Sequence, residues 1–344
     1  LVSLMFLDTS INMAMQPFKM MVGDMVNEKQ KGLAYSIQSF LCNAGSLVGF
    51  LFPFIFTWIG ISNIAPQGVV PDSVIYSFYI GAAILILCVI YTTVKVKEMP
   101  PAEYAEYHGI TEEEKKEKIN MVKLLVKAPK AFWTVGLVQF FCWFAFMFMW
   151  TYTNGSVAAN VFDAPTIETV VNGANKVVLD TKSIQYQNAA DWVGVLFAVQ
   201  AIGSVLWAVC IPMFKNRKLI YSLSLVLGGI GFISTYFVHN QYVLFISFLL
   251  IGCAWAAMLA LPFTILTNAL SGGHMGTYLG LFNGTICIPQ IVAATLGGSI
   301  LALFTPKGML PPEINMLVMA GVMLIIGAVC VYLIKETKGE QAKA

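Results

Sequence analysis

Nine apolar runs of about twenty residues or more recur along the chain, at about 1–23, 32–58, 73–95, 131–153, 190–214, 218–238, 241–267, 276–304 and 314–334. Each is long enough to cross the ~30 Å hydrocarbon layer of a bilayer as an α-helix. None shows the period-two alternation of a strand. Backbone N–H and C=O groups in lipid must be satisfied within the segment, and helices do this. The chain is 58% hydrophobic and 11% charged, against about 25% charged in soluble domains. So few charges cannot clothe 344 residues in a water-compatible surface. The expected fold class is all-α integral membrane.

The basic residues fix a threading. Lys29 and Lys31 lie in one connection. Lys95, Lys97, Lys115, Lys116, Lys118, Lys123, Lys127 and Lys130 lie in 95–130. Lys215, Arg217 and Lys218 form a third group, and Lys335, Lys338 and Lys343 lie in the tail. The alternate connections hold only Lys176, Lys182 and Lys307. Basic residues stay on the cytoplasmic side. The segment 95–130 and the C-terminus are therefore expected inside, with 59–72, 154–189, 239–240 and 305–313 outside. A multi-pass protein of the cell (inner) membrane follows. Net charge is only +2, so no basic field points to nucleic acid. The partners expected are the bilayer and a small solute.

Three spans precede the charged segment and six follow it. The expected organisation is 1–95 as the last three helices of a six-helix half, 96–130 as a cytoplasmic linker, 131–334 as a second six-helix half and 335–344 as a tail. Within the linker, Thr111 followed by Glu112, Glu113 and Glu114 reads as a helix start. Within 154–189, T-V-V-N-G-A-N-K-V-V reads as a small hairpin about Asn172-Gly173, either a lid or an insertion. The seven cysteines show no C-x-x-C spacing and read as small packing residues. No metal or cofactor signature and no hydrolase motif is present, which argues against an enzyme.

Charge inside spans is scarce, and an intramembrane acid is a functional candidate by default. Asp8, Asn12 and Gln16 follow at i, i+4 and i+8 on one helical face, with Lys19 near the end of the run and Pro17 able to kink it. Polar contact between helices is the plainer reading. A carboxyl in a low-dielectric cavity, however, can take up and release a proton. Asp24 lies past the helix end and reads as a latch partner. Asp191, opening D-W-V-G, reads as a helix cap. Gln38, Asn43, Gln139, Gln200, Asn283 and Gln290 are further polar positions within spans. Trp143 and Trp255 are candidate stacking faces for a sugar ring, although lipid-facing aromatics are commoner. Gly45/Gly49 and Gly276/Gly280 have the spacing of close helix packing. Pro289-Gln290 lies mid-span and suits a bending helix.

The stretch D-T-S-I-N-M-A-M-Q-P-F-K-M-M-V-G-D resembles the fourth helix of the sucrose/maltose-type sugar transporters of the major facilitator superfamily, relatives of the glycoside–pentoside–hexuronide cation symporters. Asp8, Asn12, Pro17 and Asp24 match that pattern in register. Gln16 departs from its glycine and Lys19 from its arginine, losing the planar fork. G-C-A-W-A-A-M-L-A-L-P-F resembles the tenth helix, G-T-Y-L-G-L-F-N-G-T-I-C-I-P-Q the eleventh, and V-K-E-M-P-P the end of the sixth. The resemblance implies a partial major facilitator fold, about nine of twelve helices, with the first three lying before this chain. It implies proton-coupled symport of a disaccharide or other glycoside, with Asp8 as coupling residue and Lys19 and Asp24 as a latch. Asp8, Asn12, Gln38, Trp143, Trp255, Asn283 and Gln290 are the expected solute-binding residues. Sodium coupling, a non-sugar solute, or a sensor of the same fold that binds sugar without flux stay open.

Overall fold

The computed structural model describes residues 25–61, 72–97, 121–171, 174–270, 275–306 and 308–334. It also describes scattered positions between 6 and 22, and residues 70, 100, 103 and 106. In the first apolar run the described positions from 10 to 22 are helical. There follow α1 (Glu28–Trp58), α2 (Asp72–Lys95), the short α3 (Met121–Val126) and α4 (Lys130–Asn160). Strands β1 (Thr166–Val171) and β2 (Ala174–Leu179) come next. Then come α5 (Ile184–Cys210), α6 (Arg217–Ser234), α7 (Leu244–Ala269), α8 (Met275–Phe282), α9 (Gly284–Phe304) and α10 (Ile314–Cys330). Seven spans built from described helices are long and apolar enough to cross a membrane by length and composition. The expected helical membrane fold is the observed one.

The environment of α2 shows what solvent the chain needs. Its apolar length is almost wholly unburied, with Tyr79, Leu87, Tyr91 and Val94 all at least 65% exposed. In water such a surface would far exceed the few hundred Å² that soluble monomers expose as one patch. Such a surface suits lipid or further apolar helices, not water.

Helix ends depart from the hydropathy reading in places. Helix α4 runs seven residues beyond 153, and α5 begins at Ile184, so the connection between them shrinks to 161–183. The start of α5 is capped by Ser183, whose Oγ accepts from the Tyr186 N–H at 3.2 Å. Asp191 is therefore not a cap; it is exposed, two turns inside the helix. Hydropathy placed the start late because Gln185, Gln187 and Asn188 are polar, yet polarity does not prevent helix formation. The expected hairpin forms, antiparallel from Thr166 against Leu179 to Val171 against Ala174. The expected turn residues Asn172 and Gly173, and Thr111–Glu114 of the linker, lie outside the described residues.

Close helix crossings rest on small residues. Helix α5 meets α7 where Gly203 faces the Leu249 backbone and Gly252 faces the backbone of Gln200 and Ser204. A Cβ on Gly252 would lie 2.7 Å from the Ser204 nitrogen. Helix α6 meets α10 at Gly229 and Gly321, each of which would press a Cβ onto the other's carbonyl oxygen, at 2.9 and 2.7 Å. These contacts let backbones approach and gain dispersion where lipid offers no hydrophobic drive. The expected G-x-x-x-G positions do not serve this way among the described residues, since a Cβ on Gly45, Gly49 or Gly280 meets nothing within 4 Å. Of the cysteines, Cys142 and Cys253 are buried in the bundle, while Cys42 and Cys88 lie on its surface.

Gly252→Val should lower stability by about 1–3 kcal/mol, the usual cost of overpacking. Gly194→Val, where a Cβ meets open space, should not. Thermal unfolding of the detergent-solubilised protein, followed by loss of monodispersity, checks the pair.

Candidate functional site

Helix α7 carries Pro262 in its interior. Proline has no N–H, so the carbonyl four residues earlier, that of Met258, loses its helical donor. In lipid that carbonyl would otherwise stay unsatisfied. Gln139 of α4 supplies the missing bond, its Nε2 donating to the Met258 carbonyl at 3.3 Å. Gln139 is fully buried. This bond pins α4 to α7 and orients the face of α4 that carries the next turn.

That next turn is Trp143. Its ring meets Trp255 of α7 edge-on, centroids 5.7 Å apart at 76°. Trp150 stands 5.7 Å from Trp255 at 83° and 6.4 Å from Trp143. Phe146 backs Trp255 at 4.9 Å. Such edge-to-face contacts set the positive ring edge against the negative ring face. Trp143 is buried, Trp255 half-buried and Trp150 43% exposed. The cluster therefore grades from core to surface and offers ring faces at its rim.

Other expected residues reach the same depth. On α1, the Ser39 hydroxyl donates to the Ala256 carbonyl at 3.4 Å, and Tyr35 stacks on Phe263. Gln38, beside Ser39, is thus level with Trp255. Helix α9 runs parallel to α4, with Thr285 over Gly136 and Gly297 over Tyr152. Gln290, between them, falls level with Trp143. Trp143 is the fourteenth residue of the 31 in α4, and Trp255 the twelfth of the 26 in α7. The common level is mid-helix.

Several polar atoms at or near this level are buried and have no hydrogen-bond partner among the described residues. They are Gln38 Nε2, Asn43 Oδ1, Gln139 Oε1 and Trp143 Nε1, and Asn283 Oδ1 is likewise unpaired nearer the start of α4. Each such group costs about 1–3 kcal/mol when left unpaired. Donors and acceptors are both represented.

Asn283 marks the boundary between α8 and α9. The helical path continues across it: Asn283 keeps helical φ and ψ of −59° and −24°, and the Cys287 N–H donates to its carbonyl at 3.1 Å, with Pro289 inside α9. The Thr285 hydroxyl donates to the Phe282 carbonyl at 2.7 Å, and the Asn283 N–H is shared between Leu279 and Gly280.

Asp8, Asn12, Lys19 and Asp24 lie outside the described residues. Of the remaining candidates, Trp143 and Trp255 are in direct contact, Gln38 and Gln290 share their level, and Asn283 lies nearer one end of α4. Sequence reasoning noted Gln139 only as a polar residue and passed over Trp150. The signal for Gln139 was the pairing of a mid-span glutamine with a proline on another span. No three His, Cys, Asp or Glu side chains converge among the described residues.

A polytopic helical bundle with aromatic and amide side chains gathered at mid-depth has the architecture of a membrane solute carrier. Comparison with known proteins makes the class specific. The chain matches the Major Facilitator Superfamily over residues 2–174 and 158–344, and it belongs to that family of membrane transporters. No curated protein sequence matches it significantly. Among solved structures, it resembles a variant of the E. coli fucose:proton symporter, with a TM-score of 0.59 and 14% identity, over 92% of this chain and 72% of that one. At that identity the likeness shows the fold.

Gln139→Leu should destabilise the protein by about 1–3 kcal/mol by stranding the Met258 carbonyl. Pro262→Ala in the same background should recover most of that loss by returning a backbone N–H. Equal melting temperatures for Gln139→Leu and the double variant would show that the bond does not serve this carbonyl.

Proposed function

We propose that this transporter is a proton-coupled symporter of a disaccharide or related glycoside. The observation carrying this reading is the mid-depth group on α1, α4, α7 and α9. Tryptophan faces suit the apolar face of a sugar ring. The unpaired amide, carbonyl and indole groups suit hydroxyls, which both donate and accept. A cation or a lipid-like solute would use one half of that set at most. The fucose:proton symporter, whose fold this chain shares, is by its own description a sugar carrier, which fits.

Asp8 is assigned proton coupling, and Asp8, Asn12, Gln38, Trp143, Trp255, Asn283 and Gln290 are assigned sugar contacts. Lys19 and Asp24 are assigned a latch between conformations. The two halves, 1–95 with whatever precedes it and 131–334, rock about this level, joined by the linker 96–130. Proton and sugar together must favour reorientation over either alone, or transport would be uncoupled. The charge bias of the connections argues for a cytoplasmic C-terminus.

Asp8→Asn should abolish uphill sugar accumulation in proteoliposomes while leaving sugar counterflow. Full uphill uptake by this variant would remove Asp8 from the mechanism. Trp255→Ala should raise the half-saturating sugar concentration about tenfold, equivalent to about 1.4 kcal/mol. An unchanged value across a panel of disaccharides would exclude the aromatic rim from the site.

A further inference from the structure

One acid stands apart from the mid-depth group. Glu313 caps the start of α10 by position, and its side chain folds back onto α4. There it rests on Gly155, where a Cβ would collide with its carboxyl group. One turn earlier on α4, Tyr152 lies close enough to feel its charge. The Tyr152 hydroxyl in turn sits over Gly297 of α9, where a Cβ would come within 2.6 Å of it. Two glycine seats, filled by a carboxyl and a phenol, therefore fasten the ends of α4, α9 and α10 together. The charge bias assigns this end to the outside.

We propose that Glu313 is a proton-binding site that holds the start of α10 against α4 when protonated and releases it when charged. The neutral carboxyl suits a seat walled by a glycine and flanked by Ile314, which is buried. The carboxylate needs more water than the seat gives, where Glu313 is only partly exposed, so charging it favours lifting the end of α10 from α4. Burial pushes the Glu313 carboxyl up to about 7 from its ordinary 4.5. The helix N-terminus favours the anion, but by less than about one pH unit, so burial wins.

The sign follows from the neutral form being the seated one. Seating is fully favoured below about 4.5 and is lost as pH rises through about 7. Tyr152 is the titratable group that α4 turns toward Glu313. The described parts of α9 and α10 carry no acid or base at this end. His239 touches the Asn160 carbonyl, more than a turn along α4 from Gly155, and Asp163 lies beyond the end of α4.

The titration is a property of the folded protein. Only its effect on transport rests on the proton-coupled reading above. Infrared difference spectra of the full chain in proteoliposomes, titrated through neutrality, test it. A protonated-carboxyl signal should vanish near pH 7 in the wild type and be missing in Glu313→Gln. The same signal in Glu313→Gln, or its loss only near 4.5, overturns the proposal. Melting temperature provides a second measurement, falling as pH rises through neutrality in the wild type and flat in Glu313→Gln. Equal slopes overturn the proposal as well. Asp8→Asn should keep the Glu313 signal unchanged, so failure of the coupling assignment leaves this site standing.

Discussion

A carbonyl with no donor is the costliest small defect a membrane helix can carry, and the bond from Gln139 to Met258 removes one. Pro262 creates the defect by removing an N–H from α7. Water cannot repair it at this depth, so a side chain from another helix must. The repair fixes the rotation of α4 against α7, and that rotation decides that Trp143 faces Trp255 rather than lipid. The aromatic cluster is thus a consequence of backbone accounting in an apolar solvent.

Glycines carry the rest of the assembly. Apolar side chains gain nothing by leaving lipid for one another, so close backbone approach and dispersion hold the helices. Gly203 with Gly252, and Gly229 with Gly321, mark where α5 meets α7 and α6 meets α10. The same device seats Glu313 and Tyr152 at the end of the bundle, where a polar group occupies the space of a missing side chain. One structural rule therefore serves both packing at the centre and a titratable contact at the rim.

The polar groups divide by their distance from water. Many serine and threonine hydroxyls within spans bond back to their own helix, as Thr153 does to Met149 and Thr264 to Ala260. The longer amides cannot always do so, and at mid-depth Gln38, Asn43 and Gln139 keep an atom unpaired. With the Trp143 indole, these are the groups to which the proposed function assigns a polar solute.

The sequence by itself determined the solvent, the helical class and most of the spans, because twenty apolar residues admit only one backbone solution in lipid. It also marked Trp143, Trp255, Gln38 and Gln290, since large aromatics and amides stand out in apolar runs, and the hairpin, since Asn-Gly between β-branched runs is a local signal. What it could not determine was anything set by two helices at once. The spacing of Gly45 and Gly49 is indistinguishable from that of glycines that truly meet a neighbour. Glu313 is an ordinary loop acid until Gly155 comes beneath it. Gln139 is an isolated amide until Pro262 strands a carbonyl opposite. Hydropathy along one strand of text reports the medium around each helix, whereas rotation and crossing depth depend on the partner's surface, and only the tertiary structure decided those.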